Sequence, residues 1–177
     1  MTVNIFSYKF AGPIGDTGMA EMDGKIIRVF FDLALTGLRV ADNVQINGMM
    51  KRYPGYEFAV CETDALKNTA AQLNEYFIGK RPSFDVPYTI TGDGFTGKVY
   101  RELLNIPVGR TRSYGDIAAA CGNPRAYRAV GNANRKNPIP YIVPCHRVIG
   151  GDGGLTGYAG GLPIKKYLLD IEQKFYL

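Results

Sequence analysis

Several residue types are scarce in this sequence, and each scarcity excludes a class of protein. The chain contains one histidine and three cysteines, at positions 61, 121 and 145. An odd number of cysteines without a CxxC spacing argues against a disulfide framework, and one histidine leaves too few ligands for a zinc site. There is no run of about 18 apolar residues and no basic, then apolar, leader. We therefore expect no metal, no membrane span, and a reducing cytoplasmic location, or a nuclear one in a eukaryotic cell.

The first half of the chain has the pattern of a small α/β domain. Residues 3–10 and 25–32 are rich in β-branched and aromatic side chains, and glycines between them indicate a turn, so a hairpin is predicted. Residues 65–77 carry apolar side chains at helical spacing, and Gly79 is a plausible stop. The proline- and glycine-containing residues 79–94 are typical of a linker.

The second half is predicted to be helical and to contain a helix-turn-helix. After a helix over residues 96–106, Ser113 and Asp116 have the spacing of a reciprocal capping box, and this second helix is expected to end at Gly122. Asn123-Pro124 then offers a cap and a proline at the first helical position, after a three-residue turn. We thus predict an α/β N-terminal domain (a small antiparallel sheet plus helix, residues 1–92) and a mainly α C-terminal domain with a helix-turn-helix (residues 93–177).

Charge is distributed unevenly between the two halves. Residues 1–94 hold 9 Lys and Arg against 11 Asp and Glu, whereas residues 95–177 hold 12 against 5, a net charge of +7. A basic half favours a polyanionic partner such as nucleic acid, although a merely solvated basic face fits equally well. The helix that follows Pro124 combines small residues with cations, a composition that suits close approach to DNA or packing on a neighbouring helix. These residues are Ala126, Ala129, Gly131, Ala133, Arg125, Arg128, Arg135 and Lys136.

The only histidine lies directly after a cysteine, in the segment PCHRVI. A cysteine reacts as its thiolate, so Cys145 needs a base or a cation nearby. In an extended segment Cys145 and His146 point to opposite faces, so a water or a bend has to connect them. A carboxylate usually orients such a histidine. Glu172, at the edge of the apolar stripe of a predicted helix over residues 163–175, is the candidate, with an ordinary exposed glutamate as the alternative.

From about Phe95 to Glu172, nearly half of the chain, the sequence resembles the O6-alkylguanine-DNA alkyltransferases, also called methylated-DNA–protein-cysteine methyltransferases. The motifs that carry the resemblance are SYGDIAAACGNPRAYRAVGNANRKNPIP, PCHRVIGG and GLTGYAGGL. The resemblance implies direct-reversal repair, in which a cysteine takes the alkyl group from O6 of guanine irreversibly and in one turnover, with O4-alkylthymine as an alternative substrate. Double-stranded DNA with O6-alkylguanine is then the partner, no cofactor is required, and the protein acts as a monomer.

The same resemblance assigns roles to individual residues. Cys145 corresponds to the alkyl acceptor, His146 to the base that deprotonates it through a water, and Glu172 to the carboxylate that holds His146. Asn137 corresponds to the hinge asparagine, and Tyr114 to the tyrosine that helps to swing out the nucleotide and protonates the departing guanine. Arg128 corresponds to the finger that fills the vacated place in the stack. The other residues expected at the substrate or DNA are Ala126, Ala129, Gly131, Arg135, Arg147, Val148, Tyr158 and Ala159.

Three departures from the family pattern qualify these assignments. Tyr127 replaces a small residue of the recognition helix, which affects how closely that helix approaches the minor groove. Ala159 replaces a serine, so that only its backbone N–H remains to donate to O6. Residues 1–94 contain Cys61 and no histidine, so the zinc site of some relatives is not expected.

Other functions fit parts of the pattern. A damage sensor of the alkyltransferase-like kind binds the flipped base without transfer, but its acceptor cysteine is replaced. A plain helix-turn-helix regulator needs no Cys-His-Glu set, and a cysteine hydrolase usually draws its histidine from a distant segment. Cys145 therefore favours the transferase.

Overall fold

The computed structural model describes residues 1–31 and 43–177, which form two compact units. The first unit comprises Met1–Asn74 and Asp85–Thr89, and the second comprises Glu75–Phe84 and Ile90–Leu177. Within the described residues, no helix has the length and apolar character needed to cross a membrane. The domain boundary after residue 92 remains a prediction.

The first unit is built on a four-stranded sheet. Its strands are β1 (Thr2–Phe10), β2 (Gly15–Met22), β3 (Lys25–Phe31) and β4 (Glu57–Val60), in the order β3-β2-β1-β4. β2 is antiparallel to both β1 and β3, whereas β4 is parallel to β1. The predicted α/β class is confirmed, but the sheet is mixed rather than antiparallel, because β4 follows a long crossover connection instead of a hairpin turn.

The predicted hairpin between residues 3–10 and 25–32 is wrong in its pairing. β2 lies between β1 and β3 and pairs with both. Five consecutive residues of β2, Thr17 to Glu21, are buried, so this strand lacks the alternation that reveals a half-buried strand. Its glycines were therefore interpreted as a turn. Residue 32, the end of the second predicted strand, lies outside the described residues.

One helix belongs entirely to the first unit, and a second helix begins in the first unit and ends in the second. Helix α1 (Val44–Met50) begins at Asn43, whose side chain accepts hydrogen bonds from two backbone N–H groups. Helix α2 (Asp64–Phe77) confirms the helix predicted over residues 65–77, and it runs from the first unit into the second. The hydrophobic core under the sheet is formed by buried residues of β1, β2, β3 and α1. These are Val3, Ile5, Ala20, Ile27, Phe30, Ile46 and Met49.

The segment predicted as a linker, residues 79–94, is partly fixed to the sheet. Ile26 N donates to Pro87 O at 2.9 Å, and Thr89 N donates to Ile26 O at 2.9 Å. Residues 85–89 consequently belong to the first unit, so they do not act as a free connection. Gly79 does end α2, with a φ of 75° that favours glycine.

The second unit is helical, as predicted. It contains α3 (Gly94–Leu104), α4 (Tyr114–Ala120), α5 (Tyr127–Arg135) and α6 (Leu162–Tyr176), and α3, α4 and α5 pack on one another. The capping box of α4 is confirmed. Ser113 Oγ accepts from Asp116 N at 3.0 Å, and Asp116 Oδ2 accepts from Ser113 N at 2.8 Å.

The start of α5 differs from the prediction. Its N-cap is Ala126 rather than Asn123, and Pro124 lies in a turn closed by Ala126 N donating to Asn123 O at 2.9 Å. The two helices of the helix-turn-helix are therefore joined by residues 121–126, which is longer than the predicted three-residue turn. The fixed φ of proline suits both this turn and the first residue of a helix, so the local sequence cannot distinguish a turn from a helix start at Pro124.

A short parallel ladder connects the helix-turn-helix to the PCHR segment. β5 (Arg112–Ser113) lies directly before α4 and pairs with β6 (Val148–Ile149), which directly follows the 3-10 turn Cys145–Arg147. The 3-10 turn is also in contact with α6. This arrangement brings the Cys-His pair, the start of α4 and the C-terminal helix into one place.

Candidate active site

Cys145 is held in a buried position by an asparagine. Its side chain is 4% exposed, and its Sγ accepts a hydrogen bond from Asn137 Nδ2 at 3.2 Å. The same Nδ2 donates to Val143 O at 2.8 Å, and Asn137 Oδ1 accepts from Ile139 N at 3.1 Å. Asn137 thus fixes both the thiol and the backbone segment that leads to it. The sequence assigns this residue the role of a hinge between the helix-turn-helix and the reactive segment.

His146 is bonded to Glu172, as the sequence predicts. His146 Nε2 lies 2.9 Å from Glu172 Oε1, and both side chains are fully buried. An ionised carboxylate accepts, so Nε2 carries the proton and Nδ1 keeps its lone pair. Among the described residues, His146 Nδ1 has no hydrogen-bond partner. The neutral imidazole is therefore a base at Nδ1.

Tyr76 is a third member of this network that the sequence reasoning missed. Its hydroxyl donates to Glu172 Oε1 at 2.5 Å and lies 3.2 Å from His146 Nε2. Tyr76 is completely buried near the end of α2. It lies between Leu73 and Phe77 of the predicted apolar stripe, so its position alone does not distinguish it from a core residue. The available signal was its hydroxyl, because a buried tyrosine hydroxyl needs a hydrogen-bond partner.

Arg147 points into the protein, which corrects the prediction that it contacts DNA. Its Nη2 donates to Glu172 Oε1 at 2.8 Å, its Nε lies 3.0 Å from the same oxygen, and its Nη1 donates to Ile106 O at 2.7 Å. The side chain is only 10% exposed. A buried carboxylate such as Glu172 needs a permanent cation as its partner. The planar guanidinium of Arg147 provides the charge and donates two hydrogen bonds, from Nε and Nη2. The backbone N–H of Gly109 also donates a hydrogen bond to Glu172 Oε2 at 2.9 Å.

Burial and charge set the protonation of these groups. Burial raises the pKa of Cys145 to about 11, although the Asn137 hydrogen bond and the Lys165 charge act in the opposite direction. Burial also lowers the pKa of His146, against the pull of Glu172. Burial alone raises the pKa of Glu172, but hydrogen bonds from His146 and Arg147 and the charge of Arg147 outweigh it and hold that pKa far below its usual range. Since His146 is neutral, Arg147 is the cation that stabilises the carboxylate.

Lys165 joins the PCHR segment to the glycine-rich loop. Its Nζ donates to Val148 O at 2.6 Å and to Thr156 O at 2.7 Å, and it lies 5.9 Å from the centre of the Tyr114 ring. Burial lowers the pKa of Lys165 to about 8. A buried cation with two carbonyl partners fixes the loop over the site, and its charge favours a thiolate at Cys145.

A cavity opens beside the thiol. Its volume is about 360 Å³, which falls within the range of about 300–1,000 Å³ for small-molecule sites. The wall combines residues from α4, α5, the PCHR segment and the glycine-rich loop, and so brings together distant parts of the sequence. The lining residues are Tyr114, Gly131, Asn134, Arg135, Cys145, Thr156, Gly157, Tyr158 and Ala159.

Comparison with known proteins identifies the family. Residues 94–174 match the model described as 6-O-methylguanine DNA methyltransferase, DNA binding domain. The constitutive methylated-DNA–protein-cysteine methyltransferase of Bacillus subtilis is 52% identical over 165 residues, which cover 93% of each chain. The chain belongs to the methylated-DNA–protein-cysteine methyltransferase family. The relative from Methanosarcina barkeri is 54% identical over 107 residues, covering 60% of this chain and 68% of its own.

Solved structures of methylated-DNA–protein-cysteine methyltransferases extend the likeness to both halves of the chain. Mycobacterium tuberculosis OGT in complex with DNA superposes with a TM-score of 0.77 at 36% identity, over 97% of this chain and 93% of that one. The O6-methylguanine-DNA methyltransferase of the archaeon Pyrococcus kodakaraensis gives a TM-score of 0.70 at 27% identity, over 95% and 98%. The N-terminal half, which has no diagnostic motif, is therefore part of the family fold.

The predicted residues of this methyltransferase fall into two groups in the structure. Tyr114, Gly131, Arg135, Tyr158 and Ala159 line the cavity with Cys145. Arg128 and Ala129 are exposed on α5, and Ala126, its N-cap, is half-buried. Val148 is buried, and its carbonyl accepts a hydrogen bond from Lys165.

Tyr127 gives the recognition helix of this methyltransferase an exposed aromatic ring. Its side chain is 49% exposed, and the Arg128 guanidinium lies 5.8 Å from the ring centre. A cation near an aromatic face is held there weakly. The ring is thus in contact with the residue predicted as the finger, and its bulk stands where the family pattern has a small side chain.

Proposed function

We propose that the protein repairs O6-alkylguanine in double-stranded DNA by moving the alkyl group to Cys145 Sγ, in a single irreversible turnover. The observation that carries the proposal is a buried thiol in the wall of a base-sized cavity, followed in the sequence by a histidine that is held by a buried carboxylate. The family membership gives the substrate class, and the +7 charge of residues 95–177 suits a polyanionic partner. The cytoplasm, where reduced thiols persist, is the proposed location.

The chemistry balances with the groups in the site. Cys145 Sγ attacks the alkyl carbon as the bond from that carbon to O6 breaks, and the bonding electrons stay with guanine. The thiol proton passes to His146 Nδ1 through a water, and Tyr114 protonates the departing base. His146 then returns a proton to Tyr114 through solvent, so the net result is an alkylated cysteine and a normal guanine. Glu172, which Tyr76 and Arg147 hold in place, stabilises the imidazolium that forms on the way.

The substrate has to leave the double helix to reach this cavity. O6 faces the major groove inside the stack, and extrusion of a base costs a few kcal/mol. Arg128, exposed on α5, is proposed to fill the vacated place and so to offset part of that cost. The small residues Ala126, Ala129 and Gly131 allow the helix to lie close to the sugar–phosphate backbone.

A damage sensor without transfer is the other function that a cavity for a flipped base permits. A sensor that only binds the base does not require a cysteine nucleophile or a histidine base held by a buried carboxylate. The retained Cys145, held by Asn137, favours transfer.

The test is the intact mass of the protein after incubation with a duplex that carries one O6-methylguanine. We expect a gain of one methyl group per chain, located on the peptide that contains Cys145, and no gain with undamaged DNA. Cys145→Ala is expected to remain unmodified while it still binds the damaged duplex. Cys61→Ala is the matched control, because Cys61 is exposed and its loss leaves specific transfer unchanged. An unchanged wild-type mass with selective binding of the damaged duplex would establish a sensor instead.

A further inference from the structure

A second groove, which the mechanism above does not use, adjoins the cavity that contains Cys145. Its volume is about 480 Å³. Tyr114, Gly131 and Thr156 line both the groove and the cavity, so the two lie side by side. A strand that places one nucleotide in the cavity has to continue over the surface beside it, and the groove is part of that surface.

The groove is lined by backbone and by the exposed ring of Tyr127. Gly115, Gly150 and Gly151 present main chain rather than side chains there, and Tyr127 lies at the first position of α5. The Tyr127 side chain is 49% exposed, so its ring is available to a ligand. The lining is predominantly apolar. It therefore suits the C–H surface of a ligand better than a phosphate group, which requires cations or several N–H donors.

The covalent continuity of a DNA strand indicates what occupies the groove. The neighbour of a flipped nucleotide is one phosphodiester away, so it lies next to the cavity whenever the cavity is filled. Its phosphates are charged, and its deoxyribose is the mainly apolar part of the backbone. Arg125, Arg128 and Arg135 are exposed cations in and directly before α5, and they are available to the phosphates. The ring of Tyr127 is available to the sugar.

From these observations we infer that the groove binds the deoxyribose of the nucleotide next to the flipped one, with the sugar packed against the Tyr127 ring. This inference rests on the proposed function. The contact has a consequence for substrate choice, because a ribose carries a 2′-hydroxyl. Against an apolar ring that hydroxyl loses its hydration without gaining a hydrogen-bond partner. Tyr127 is thus a specificity-determining residue that selects deoxyribose beside the lesion.

The experiment uses duplexes with one O6-methylguanine and a changed neighbour on its 5′ side or its 3′ side. The neighbour is a deoxynucleotide, a ribonucleotide or an abasic deoxyribose. Single-turnover rates of transfer to Cys145 are measured for the wild type, Tyr127→Ala, Tyr127→Phe and Asn132→Ala, with free O6-benzylguanine as the substrate that has no neighbour. Tyr127→Phe keeps the ring, and Asn132 is an exposed residue of the same helix, so both serve as controls. Effects of the changed neighbour on the duplex itself are common to all four proteins and cancel when the variants are compared.

We expect a ribonucleotide on one of the two sides to slow transfer by about tenfold in the wild type, in Tyr127→Phe and in Asn132→Ala. In Tyr127→Ala the ribonucleotide and the deoxynucleotide should differ by less than about threefold. The abasic deoxyribose should change the rates of the wild type and of Tyr127→Ala by the same factor, because the sugar is still present. With free O6-benzylguanine, all four rates should agree within about twofold.

Three results would overturn the inference alone. One is a ribonucleotide effect that is absent from the wild type or unchanged in Tyr127→Ala. Another is a difference between these two proteins that disappears with the abasic neighbour, because the ring would then stack on a base. The third is faster repair by Tyr127→Ala, which would make the ring an obstacle to DNA. A wild-type protein that transfers no methyl group from any substrate would overturn the proposed function, and the inference with it.

Discussion

At the scale of single residues, the thiol of Cys145 and the imidazole of His146 are both neutral at rest. Burial places the pKa of Cys145 at about 11 and moves the pKa of His146 below its ordinary value. A neutral thiol beside a neutral imidazole needs no counter-charge inside the protein. The thiolate then has to form during transfer, when the alkyl group is already in place, so the resting cysteine is protected from unwanted alkylation.

The pH dependence of transfer follows from these two pKa values. With free O6-benzylguanine, we expect a rate that is nearly constant between about pH 7 and pH 9, because His146 is neutral and Cys145 is protonated throughout. The rate should fall only below the ordinary histidine pKa of about 6.5, since burial lowers the pKa of His146 and protonated His146 cannot accept the thiol proton. The measurement is a single-turnover rate in overlapping buffers.

The alternative to general-base catalysis gives a different profile. If a preformed thiolate reacted, the rate would rise about tenfold per pH unit up to a pKa near 11. Such a rise between about pH 7 and pH 9 would remove His146 from the proposed role. His146→Gln, which has no proton-accepting nitrogen, should lose most of the rate. The remaining rate should no longer fall at low pH.

Tyr76 is expected to position Glu172 and His146 rather than to touch the substrate. Tyr76→Phe removes the 2.5 Å hydrogen bond to Glu172 Oε1, and we expect transfer to slow by about tenfold, equally on free base and on duplex. Affinity for DNA should not change. The chain has a single histidine, so ¹⁵N-histidine NMR reports its tautomer without overlap, and the variant should show a weaker Nε2–H hydrogen bond.

Tyr100→Phe is the control for this variant. Tyr100 is 2% exposed, and its hydroxyl donates to Ala133 O at 3.2 Å, away from the Glu172 network. Both variants lose one buried hydrogen bond, so both should unfold at a lower temperature. A purely structural role of Tyr76 would make the two variants equal in rate and in the histidine spectrum, and would contradict the assignment.

At the scale of elements, short local signals position the DNA-binding helices. The Ser113–Asp116 capping box starts α4 at Tyr114, which lines the cavity, and the β5–β6 ladder fixes this start to the segment after Cys145. Helix α5 follows with exposed arginines and small side chains. Recognition and chemistry are thus joined through backbone hydrogen bonds, which do not depend on a flexible linker.

Arg128→Ala tests the role of α5. The change should slow repair of duplex DNA by at least about tenfold and leave the reaction with free O6-benzylguanine within about twofold, since only the duplex requires extrusion of the base. Single-turnover rates on both substrates make the comparison. Arg125→Ala, another exposed cation near the start of α5, should weaken DNA binding without this difference. Equal losses on both substrates would show that Arg128 is not the finger.

At the scale of the whole molecule, the buried His146–Glu172–Arg147 network links stability to pH. The pKa of His146 is lowered on folding, so below about pH 6.5 the unfolded chain binds a proton that the folded chain does not, and stability falls as pH falls. The pKa of Glu172 is also lowered, and its contribution is present above about pH 4.5 and lost below. Both effects act in the same direction.

We expect the free energy of unfolding to decrease by up to about 1.4 kcal/mol per pH unit as the pH falls below about 6.5, and more steeply below about pH 4.5, where the contribution of Glu172 is also lost. Urea titrations at a series of pH values measure it. Because His146 is the single histidine, His146→Gln should flatten the first part of this decrease. A decrease that persists unchanged in His146→Gln would show that other groups cause it.

The sequence by itself determined the helical C-terminal half, the capping box of α4, the helix that carries Glu172, and the family, because these depend on local spacing and on contiguous motifs. Tertiary structure decided the rest. The central strand β2 is buried on both faces and shows no alternation, so only its neighbours define it as a strand. The sequence predicts a DNA contact for Arg147 and assigns no role to Tyr76. Their roles depend on which groups surround them, and those groups come from segments that only the folded chain brings together.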